Sequence, residues 1–486
     1  MKNKIFTSLI IFSLFLVIPI ISIVSSEILL WSINTDFVNE LSKMLSENGD
    51  ILADNVNIYT ICGGELGQEV KIGFQKFCDE IQPIQNMSFW ALMTILLAGV
   101  TILLITIFAF IACLHPTVLL WCMRLCLILV TVSSVVLIIA QSVLLLLTVY
   151  EAESYYTGYI TPKLLALIGL VAFGATIALF KSLFIAFNKK SPIFGIEVNE
   201  NMQKDLWDIV NRVAKKVGTS APEHIIVGLG NNYFVTENDI ICFSGKIKGR
   251  TLFISLSLLS FLTLTELEAI LAHELAHFKG SDTIYSIKIA PVFGKISYGL
   301  QELNKLDSLL VLPVSSLISF FLYMFELKNA DFDKKREYLA DDTGVKVSSS
   351  VVFANALAKV TFFGHFWKNV EQESYNALQN GKYLTNKNEF FRLYMSPDNF
   401  DENKAIEAIM SLGVSHPRDS HPSLQERFAH LHVDITEIRL FMKKDEECAS
   451  VIIENLSDIE ENLSVMEQQL LNDRINKPTT SSENTN

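Results

Sequence analysis

The sequence is poor in cysteine and in basic residues, and each shortage excludes a class of function. Its 7 cysteines include no C-x-x-C pair, so any zinc site must use histidine and carboxylate ligands instead of paired thiolates. Lysine and arginine number 39 against 52 aspartates and glutamates, which gives a formal net charge of −13. No stretch resembles a basic face, and we therefore expect no nucleic-acid partner.

Charged residues are also scarce for a chain of 486 residues. They make up 19% of the sequence, whereas 50% is hydrophobic and the mean hydropathy is +0.36. This balance favours a multi-pass α-helical membrane protein over an ordinary soluble enzyme. Four apolar runs are long enough to cross a bilayer, namely residues 5–24, 89–114, 118–150 and 164–187.

The first apolar run has two interpretations. Its basic start at Lys2 and Lys4 and the small residues near Ser26 also fit a signal peptide that is cleaved there. The run is long for a signal peptide, so we favour an uncleaved anchor. Residues 1–190 then form a four-span transmembrane region.

Lysine positions predict the orientation of this region. Lys2 and Lys4 precede the first run and Lys189 and Lys190 follow the fourth, whereas the segments 27–87 and 151–163 are rich in aspartate and glutamate. Because cytoplasmic flanks carry an excess of lysine, both ends of the region are predicted to be cytoplasmic, in the cell or inner membrane. Residues downstream, including any catalytic domain, would then be cytoplasmic too.

The predicted outer loop at residues 27–87 is too long for a simple connection. Helical periodicity at residues 37–44 indicates a small folded cap. Cys62 and Cys78 both fall in this loop. A disulfide between them is permitted if the compartment is oxidising.

Residues 267–280, LEAILAHELAHFKG, carry the pattern H-E-x-x-H as His273, Glu274 and His277. Residues four apart share one face of a helix, so both imidazoles can reach a single metal ion. Glu274 is then placed to touch a metal-bound water. The alternative is an amphipathic helix whose two histidines are satisfied within the core.

The surroundings of the motif support a helix. An apolar stripe runs through it, Thr265 and Glu268 have the spacing of a capping box, and Gly280 follows as a stop signal. Upstream, an amphipathic helix at 200–217 and short alternating segments at 225–229, 233–236, 240–243 and 251–255 predict a small sheet that leads into the motif helix.

Downstream segments complete a domain predicted at residues 191–435. An apolar segment at 309–327 is predicted to be a core or membrane-associated helix, because a single crossing would separate His273 from everything that follows. Glu337 and Asp341 are four apart in a helical context, so both carboxylates face the same way. Considered alone, this pair is more typical of a solvated acidic face.

The last part of the sequence, residues 436–476, is predicted to contain a helix with a coiled-coil seam. Its apolar positions are Ile452, Leu456, Ile459, Leu463, Met466 and Leu470. The seam allows either self-association through this helix or packing back onto the domain. Residues 477–486 are polar and predicted to be disordered.

Three blocks taken together resemble one membrane zinc metallopeptidase family. The blocks are HELAH at 273–277, REYLAD at 336–341 and SHPSLQER at 420–427. The family is that of the HtpX heat-shock protease and the CAAX prenyl endopeptidase. The resemblance implies a mainly α, zincin-like α+β metallopeptidase domain that acts on a protein or peptide at the lipid bilayer.

The resemblance also implies the roles of individual residues. One Zn²⁺ per chain would be held by His273, His277 and Glu337, with Asp341 supporting a ligand histidine. A zinc-activated water would hydrolyse the peptide bond with Glu274 as general base.

Two further groups of residues match the family more loosely. His421 and Arg427 would support the oxyanion, with helix capping as the alternative. The residues Asn232, Tyr233 and Phe234 would form the edge strand that binds substrate. The implied function is an endopeptidase in membrane-protein quality control or processing. The competing function is a non-catalytic membrane scaffold or receptor with a protease-like domain.

Overall fold

The computed structural model describes residues 2–47, 57–63, 74–112, 116–188, 193–279, 290–305, 312–411, 422–443 and 445–476. The chain divides into two compact units. Unit 1 comprises Met1–Asn188 and Phe293–Glu326, and unit 2 comprises Lys189–Val292 and Leu327–Asn486.

Helices dominate both units. In chain order they are α1 Lys2–Glu47, α2 Ile58–Cys62, α3 Gln75–Ile111, α4 Pro116–Thr157, α5 Pro162–Asn188, α6 Lys204–Val217, α7 Leu256–Leu259, α8 Leu264–Ala276, α9 Ala290–Asn304, α10 Leu312–Val347, α11 Ser350–Gln379, α12 Lys387–Tyr394, α13 Glu402–Ser411, α14 Leu424–Leu431 and α15 Leu456–Asn476. Short 3₁₀ helices lie at Pro397–Asn399, Ile435–Glu437 and Ala449–Ile452.

Unit 1 contains the helices that suit a membrane. In the described residues, Leu16–Lys43, Cys78–Ile111 and Val118–Thr157 are long and apolar enough to cross one. The fourth predicted span falls within α5, whose described apolar part is Pro162–Gly174. These helices confirm the prediction of a multi-pass α-helical membrane protein.

The second half of α1 and the start of α3 form a small core with α2. Its buried residues are Leu29, Leu30, Phe37, Ile58, Ile61, Ile81 and Ile84. Cys62, at the end of α2, forms a disulfide with Cys78 in α3. Helix α1 extends into the N-terminal part of the predicted loop at 27–87, and α3 begins within its C-terminal part. The helical stretch expected at residues 37–44 lies in α1.

The apolar segment predicted at 309–327 begins α10. This helix starts at Leu312, and its part Val314–Glu326 is apolar but shorter than a membrane span. Residues up to Glu326 belong to unit 1, and the helix continues in unit 2 from Leu327.

Unit 2 is mainly helical around a small sheet, as predicted. The strands are β1 Ile196–Val198, β2 His224–Gly228, β3 Phe234–Thr236, β4 Ile240–Cys242, β5 Gly245–Ile247 and β6 Thr251–Ser255. The larger sheet has the order β1-β2-β6-β3. Strand β2 is parallel to β6, whereas β1 and β3 are antiparallel to their neighbours. Strands β4 and β5 pair separately as a hairpin.

Helix α8 runs through the core of unit 2. Its residues Leu267, Ala269, Leu271, Ala272 and Leu275 are all buried. A helix apolar on most of its circumference must be enclosed by other elements, and α8 is packed against α6, α11 and β3.

The C-terminal helix α15 packs onto unit 2 instead of presenting a free seam. Leu463 is fully buried in the core of the unit, and Leu456 and Ile459 pack against that core. The carboxylate of the buried Glu460 accepts hydrogen bonds from both terminal guanidinium nitrogens of Arg392 in α12, at 2.8 and 2.9 Å. Of the two predicted arrangements, packing back onto the domain is therefore present in the structure.

Candidate metal centre

Helix α8 begins two residues earlier than the sequence indicates. Its N-cap is Thr263, whose side chain accepts from Glu266 N, and Glu266 caps Thr263 N at 2.8 Å. The predicted box of Thr265 and Glu268 is wrong. Glu266 is drawn inward by the buried Lys359 at 2.8 Å, whereas Glu268 pairs with Arg212 and Lys216. The predicted stop at Gly280 lies outside the described residues.

The two histidines of the motif meet at the end of α8. His273 is 6% exposed, and His277 caps the helix in an αR conformation that continues the helical course. Their rings stand nearly perpendicular with centroids 5.1 Å apart. The i, i+4 spacing thus brings both imidazoles together, as predicted from the pattern.

Helix α10 brings Glu337 to the histidine pair. Glu337 Oε2 lies 3.6 Å from His273 Nε2, and Glu337 Oε1 lies 3.7 Å from His277 Nε2. The ligand atoms of the three residues all lie within 4.8 Å of one another. Glu337 is 6% exposed, so the interpretation as a solvated acidic face is wrong.

Asp341, one turn after Glu337, holds the other side of His273. Its Oδ1 accepts from His273 Nδ1 at 2.9 Å. Burial acts to raise the pKa of the Asp341 carboxyl, but the hydrogen bond from His273 and the charge of Arg427 outweigh burial and hold that pKa below its ordinary value. With Nδ1 engaged as a donor, His273 presents the lone pair of Nε2 toward Glu337.

Arg427 on α14 makes its contacts with Asp341. Its Nε donates to Asp341 Oδ2 at 2.9 Å, and a terminal nitrogen donates to Asp341 Oδ1. The guanidinium therefore forms a bidentate pair with a buried carboxylate, a geometry to which arginine is well suited. Helix α14 itself begins after the N-cap Ser423, which forms a capping box with Glu426. His421 lies outside the described residues.

Glu274, the predicted general base, follows His273 on α8 and is half-buried. It therefore lies on the segment that carries both histidines, as the H-E-x-x-H pattern requires. The helix fixes the backbone position of Glu274 relative to the two histidines.

The predicted substrate-binding residues lie beside α8. In the described part of the chain, β3 pairs only with β6, so β3 is an edge strand. Tyr233 is buried with its hydroxyl directed to Ser255 O, and Phe234 stacks on Phe253 at 4.9 Å. Asn232 Oδ1 accepts from the following backbone N–H. The main chain of β3, more than these side chains, is available to a ligand.

Two residues near the site have no motif in the sequence. Phe353 on α11 is fully buried and stacks against the imidazole of His273 at a centroid distance of 5.7 Å. Gly344 on α10 adjoins the Phe353 ring. Phe353 is one of 33 phenylalanines, so the sequence does not distinguish it. Gly344 does offer a signal, because a glycine is unusual within a helical pattern.

Comparison with known proteins agrees with this geometry. Residues 200–434 match the model of peptidase family M48. A protease HtpX homolog of Archaeoglobus fulgidus is 26% identical over 181 residues, 35% of this chain and 50% of the relative. One of Methanopyrus kandleri is 32% identical over 170 residues, 32% and 49% of the two chains. One of Pyrococcus furiosus is 27% identical over 237 residues, which are 44% of this chain and 74% of the relative.

This chain spans about half the length of the first two of these relatives. The matched residues 200–434 contain the whole cluster of His273, His277, Glu337, Asp341 and Arg427. No solved structure matches the chain.

Proposed function

Because this chain belongs to peptidase family M48 through its residues 200–434, we propose that it is a membrane-bound, zinc-dependent endopeptidase. The observation that carries the proposal is the convergence of His273, His277 and Glu337 from two helices, with their ligand atoms within 4.8 Å. The apolar helices of unit 1 support a location in a lipid bilayer.

The donor set fits zinc. Two imidazole nitrogens and one carboxylate oxygen are ligands that zinc accepts, and three protein ligands leave a coordination position open, as in catalytic zinc sites. We assign one ion per chain to His273, His277 and Glu337. Bound zinc supplies the Lewis acidity that polarises a peptide carbonyl and makes water nucleophilic near neutral pH.

Glu274 is the proton carrier in this proposal. Its carboxylate accepts a proton from the attacking water as the oxygen of that water bonds to the carbonyl carbon. It then delivers the proton to the amine nitrogen as the C–N bond breaks. The place of Glu274 directly after His273 on α8 supports such a role.

Asp341 and Arg427 hold His273 in its working form. Asp341 accepts a hydrogen bond from His273 Nδ1–H and so favours the neutral tautomer whose Nε2 carries the lone pair that binds metal. The bidentate contacts of Arg427 with Asp341 support an indirect role for the guanidinium, which fixes that carboxylate. We therefore assign Arg427 to positioning, and oxyanion support to His421.

The substrate is a protein or peptide in extended form. Within the described residues β3 is an edge strand, and its outer edge offers backbone N–H and C=O groups to a chain that pairs with it beside α8. Of the three predicted substrate-binding residues, Phe234 begins β3 and contributes through its main chain, whereas Asn232 and Tyr233 precede the strand. A peptidase built on a membrane anchor is suited to the processing or quality control of membrane proteins.

We assign four spans with residues from 191 onward on the cytoplasmic side. The lysine pairs at both ends of the span region favour this orientation. The disulfide between Cys62 and Cys78 supports an oxidising compartment for the segment between the first two spans. Three further crossings return the chain to the inside.

A comparison of the full-length protein with its Glu274→Gln variant tests the proposal. Both forms are purified in detergent, and their zinc content and their cleavage of casein or of themselves are measured. We expect equal zinc, and a loss of cleavage of about 10²–10⁴-fold in the variant. Zinc-free wild-type protein, or no cleavage by either form, would reject the endopeptidase in favour of a scaffold.

A further inference from the structure

The imidazole of His273 is held on its face as well as on its edge. Phe353, in the first turn of α11, is fully buried, and its ring lies nearly parallel to the imidazole at 27° with centroids 5.7 Å apart. The same ring lies 5.8 Å from Arg427 Cζ. One aromatic side chain therefore contacts both the metal ligand and the guanidinium that fixes Asp341.

The Phe353 ring reaches this place because residue 344 has no side chain. A Cβ atom at Gly344 would lie 2.9 and 3.0 Å from two carbons of the Phe353 ring, and 3.1 Å from the backbone oxygen of Ala269 on α8. Glycine is unfavourable inside a helix. Here it permits α8, α10 and α11 to approach one another next to His273.

A hydrogen bond and a stacked ring restrain different motions of an imidazole. The bond from Nδ1 to Asp341 fixes the direction of one ring nitrogen but leaves the ring able to tilt about that direction. A flat, buried neighbour on the ring face blocks this tilt, since close-packed interiors leave no room for it. Only the two restraints together direct the lone pair of Nε2 to one point.

We propose that Phe353 and Gly344 are positioning residues of the metal centre: Phe353 fixes the plane of the His273 imidazole and the place of Arg427, and Gly344 makes room for the Phe353 ring. The inference rests on the proposed function in that His273 Nε2 is taken to bind zinc. Neither residue touches the ion or the substrate.

The substitution Phe353→Leu tests the stacking, and Phe362→Leu is its matched control. Phe362 lies on the same helix, is 2% exposed and packs against other phenylalanines, including Phe363 and Phe400. Both substitutions remove a buried ring and lower thermal stability. We expect zinc affinity, measured on the full-length protein by competition with a chromogenic chelator, to fall about tenfold for Phe353→Leu alone.

The substitution Gly344→Ala tests the same contact from the opposite helix. Its new methyl group displaces the Phe353 ring, so we expect a similar loss of zinc affinity. Gly364→Ala on α11 is the control, because a Cβ there meets Asn231 O at 3.4 Å, an ordinary contact distance. The visible spectrum of the cobalt-substituted protein should change for Gly344→Ala and Phe353→Leu, and stay the same for both controls.

The outcomes separate this inference from the function on which it rests. Weaker zinc binding by the two site variants and unchanged binding by the two controls supports it. Unchanged affinity in all four, or losses that merely follow thermal stability, overturns it. Wild-type protein that binds zinc without cleaving peptides rejects the endopeptidase alone, and wild-type protein that binds no zinc rejects both.

Discussion

His273 donates through Nδ1 to Asp341 Oδ1 over 2.9 Å, and this bond determines which ring nitrogen is left for a metal. An asparagine at position 341 keeps the shape but turns a charged acceptor into an amide that can also donate. We expect Asp341→Asn to weaken zinc binding by about 10–100-fold, as measured by chelator competition.

Asp342→Asn is the control for that experiment. Asp342 lies next to Asp341 on the same helix, but its Oδ1 is 2.9 Å from His430 Nε2 and it is 48% exposed. Zinc affinity should be unchanged in this variant. Equal losses in both variants would mean that the charge of the helix, and not the bond to His273, supports the metal.

The buried pair of Lys359 and Glu266 ties α11 to the start of the metal-binding helix. Lys359 Nζ donates to Glu266 Oε2 at 2.8 Å, with the side chains 2% and 7% exposed. Lys359→Met leaves the buried carboxylate without its cation, so we expect a loss of about 3–5 kcal/mol in the free energy of unfolding. Denaturant titration of the full-length protein in detergent measures this.

The partly exposed pair of Lys216 on α6 and Glu268 on α8 provides a comparison. Its side chains are 44% and 18% exposed, so Lys216→Met should cost only about 0.2–1 kcal/mol. If Lys359→Met and Lys216→Met lower the free energy of unfolding equally, burial does not determine the strength of the Lys359 pair.

Glu268 gives the stability of unit 2 a dependence on pH. Burial acts to raise the pKa of Glu268, but hydrogen bonds from Lys216 and Arg212 outweigh it and lower that pKa below 4.5. The ionised Glu268 therefore stabilises the fold at any pH above its pKa in the unfolded chain. This stabilisation is lost as the pH falls through its lower pKa in the folded chain. Glu268→Gln should therefore lower stability at pH 7 by under about 1 kcal/mol.

Denaturant titrations of wild-type protein and Glu268→Gln at neutral and acid pH check this dependence. The difference between the two proteins should shrink as pH falls below 4.5. A difference that stays constant would show that Glu268 acts through packing and not through its charge.

Reporter fusions test the orientation in the membrane. An alkaline phosphatase that is active only outside the cytoplasm should be active when fused after Gly63, beyond the first span. It should be inactive when fused after Phe187, beyond the fourth. An active fusion after Phe187 would contradict both the four spans and the cytoplasmic position of unit 2.

The metal-binding helix and its carboxylate could be predicted because their chemistry depends on residue type and spacing. His273, Glu274 and His277 form a helical pattern, and Glu337 was identified through the order of three motifs. The start of α8 was misplaced because Thr263 and Thr265 each begin a T-x-x-E box. The choice between them depends on Lys359, which is 93 residues away from Glu266.

Other features had no local signal. The sequence does not predict strands β1 and β5. In β5, Gly245 and Lys246 precede a single apolar residue, Ile247, so no alternation is present to be recognised. Phe353 reads as one more apolar residue of an amphipathic helix, and its contact with His273 arises only when α8, α10 and α11 pack together. The bidentate contacts of Arg427 with Asp341 likewise depend on tertiary structure.

The central claim is that His273, His277 and Glu337 together hold one zinc ion. Its most direct test is the zinc content per chain, by mass spectrometry of the metal, in wild-type protein and in Glu337→Gln after dialysis against a mild chelator. The account predicts one zinc per wild-type chain and well under one in the variant. A Glu337→Gln protein that keeps its full zinc would contradict it.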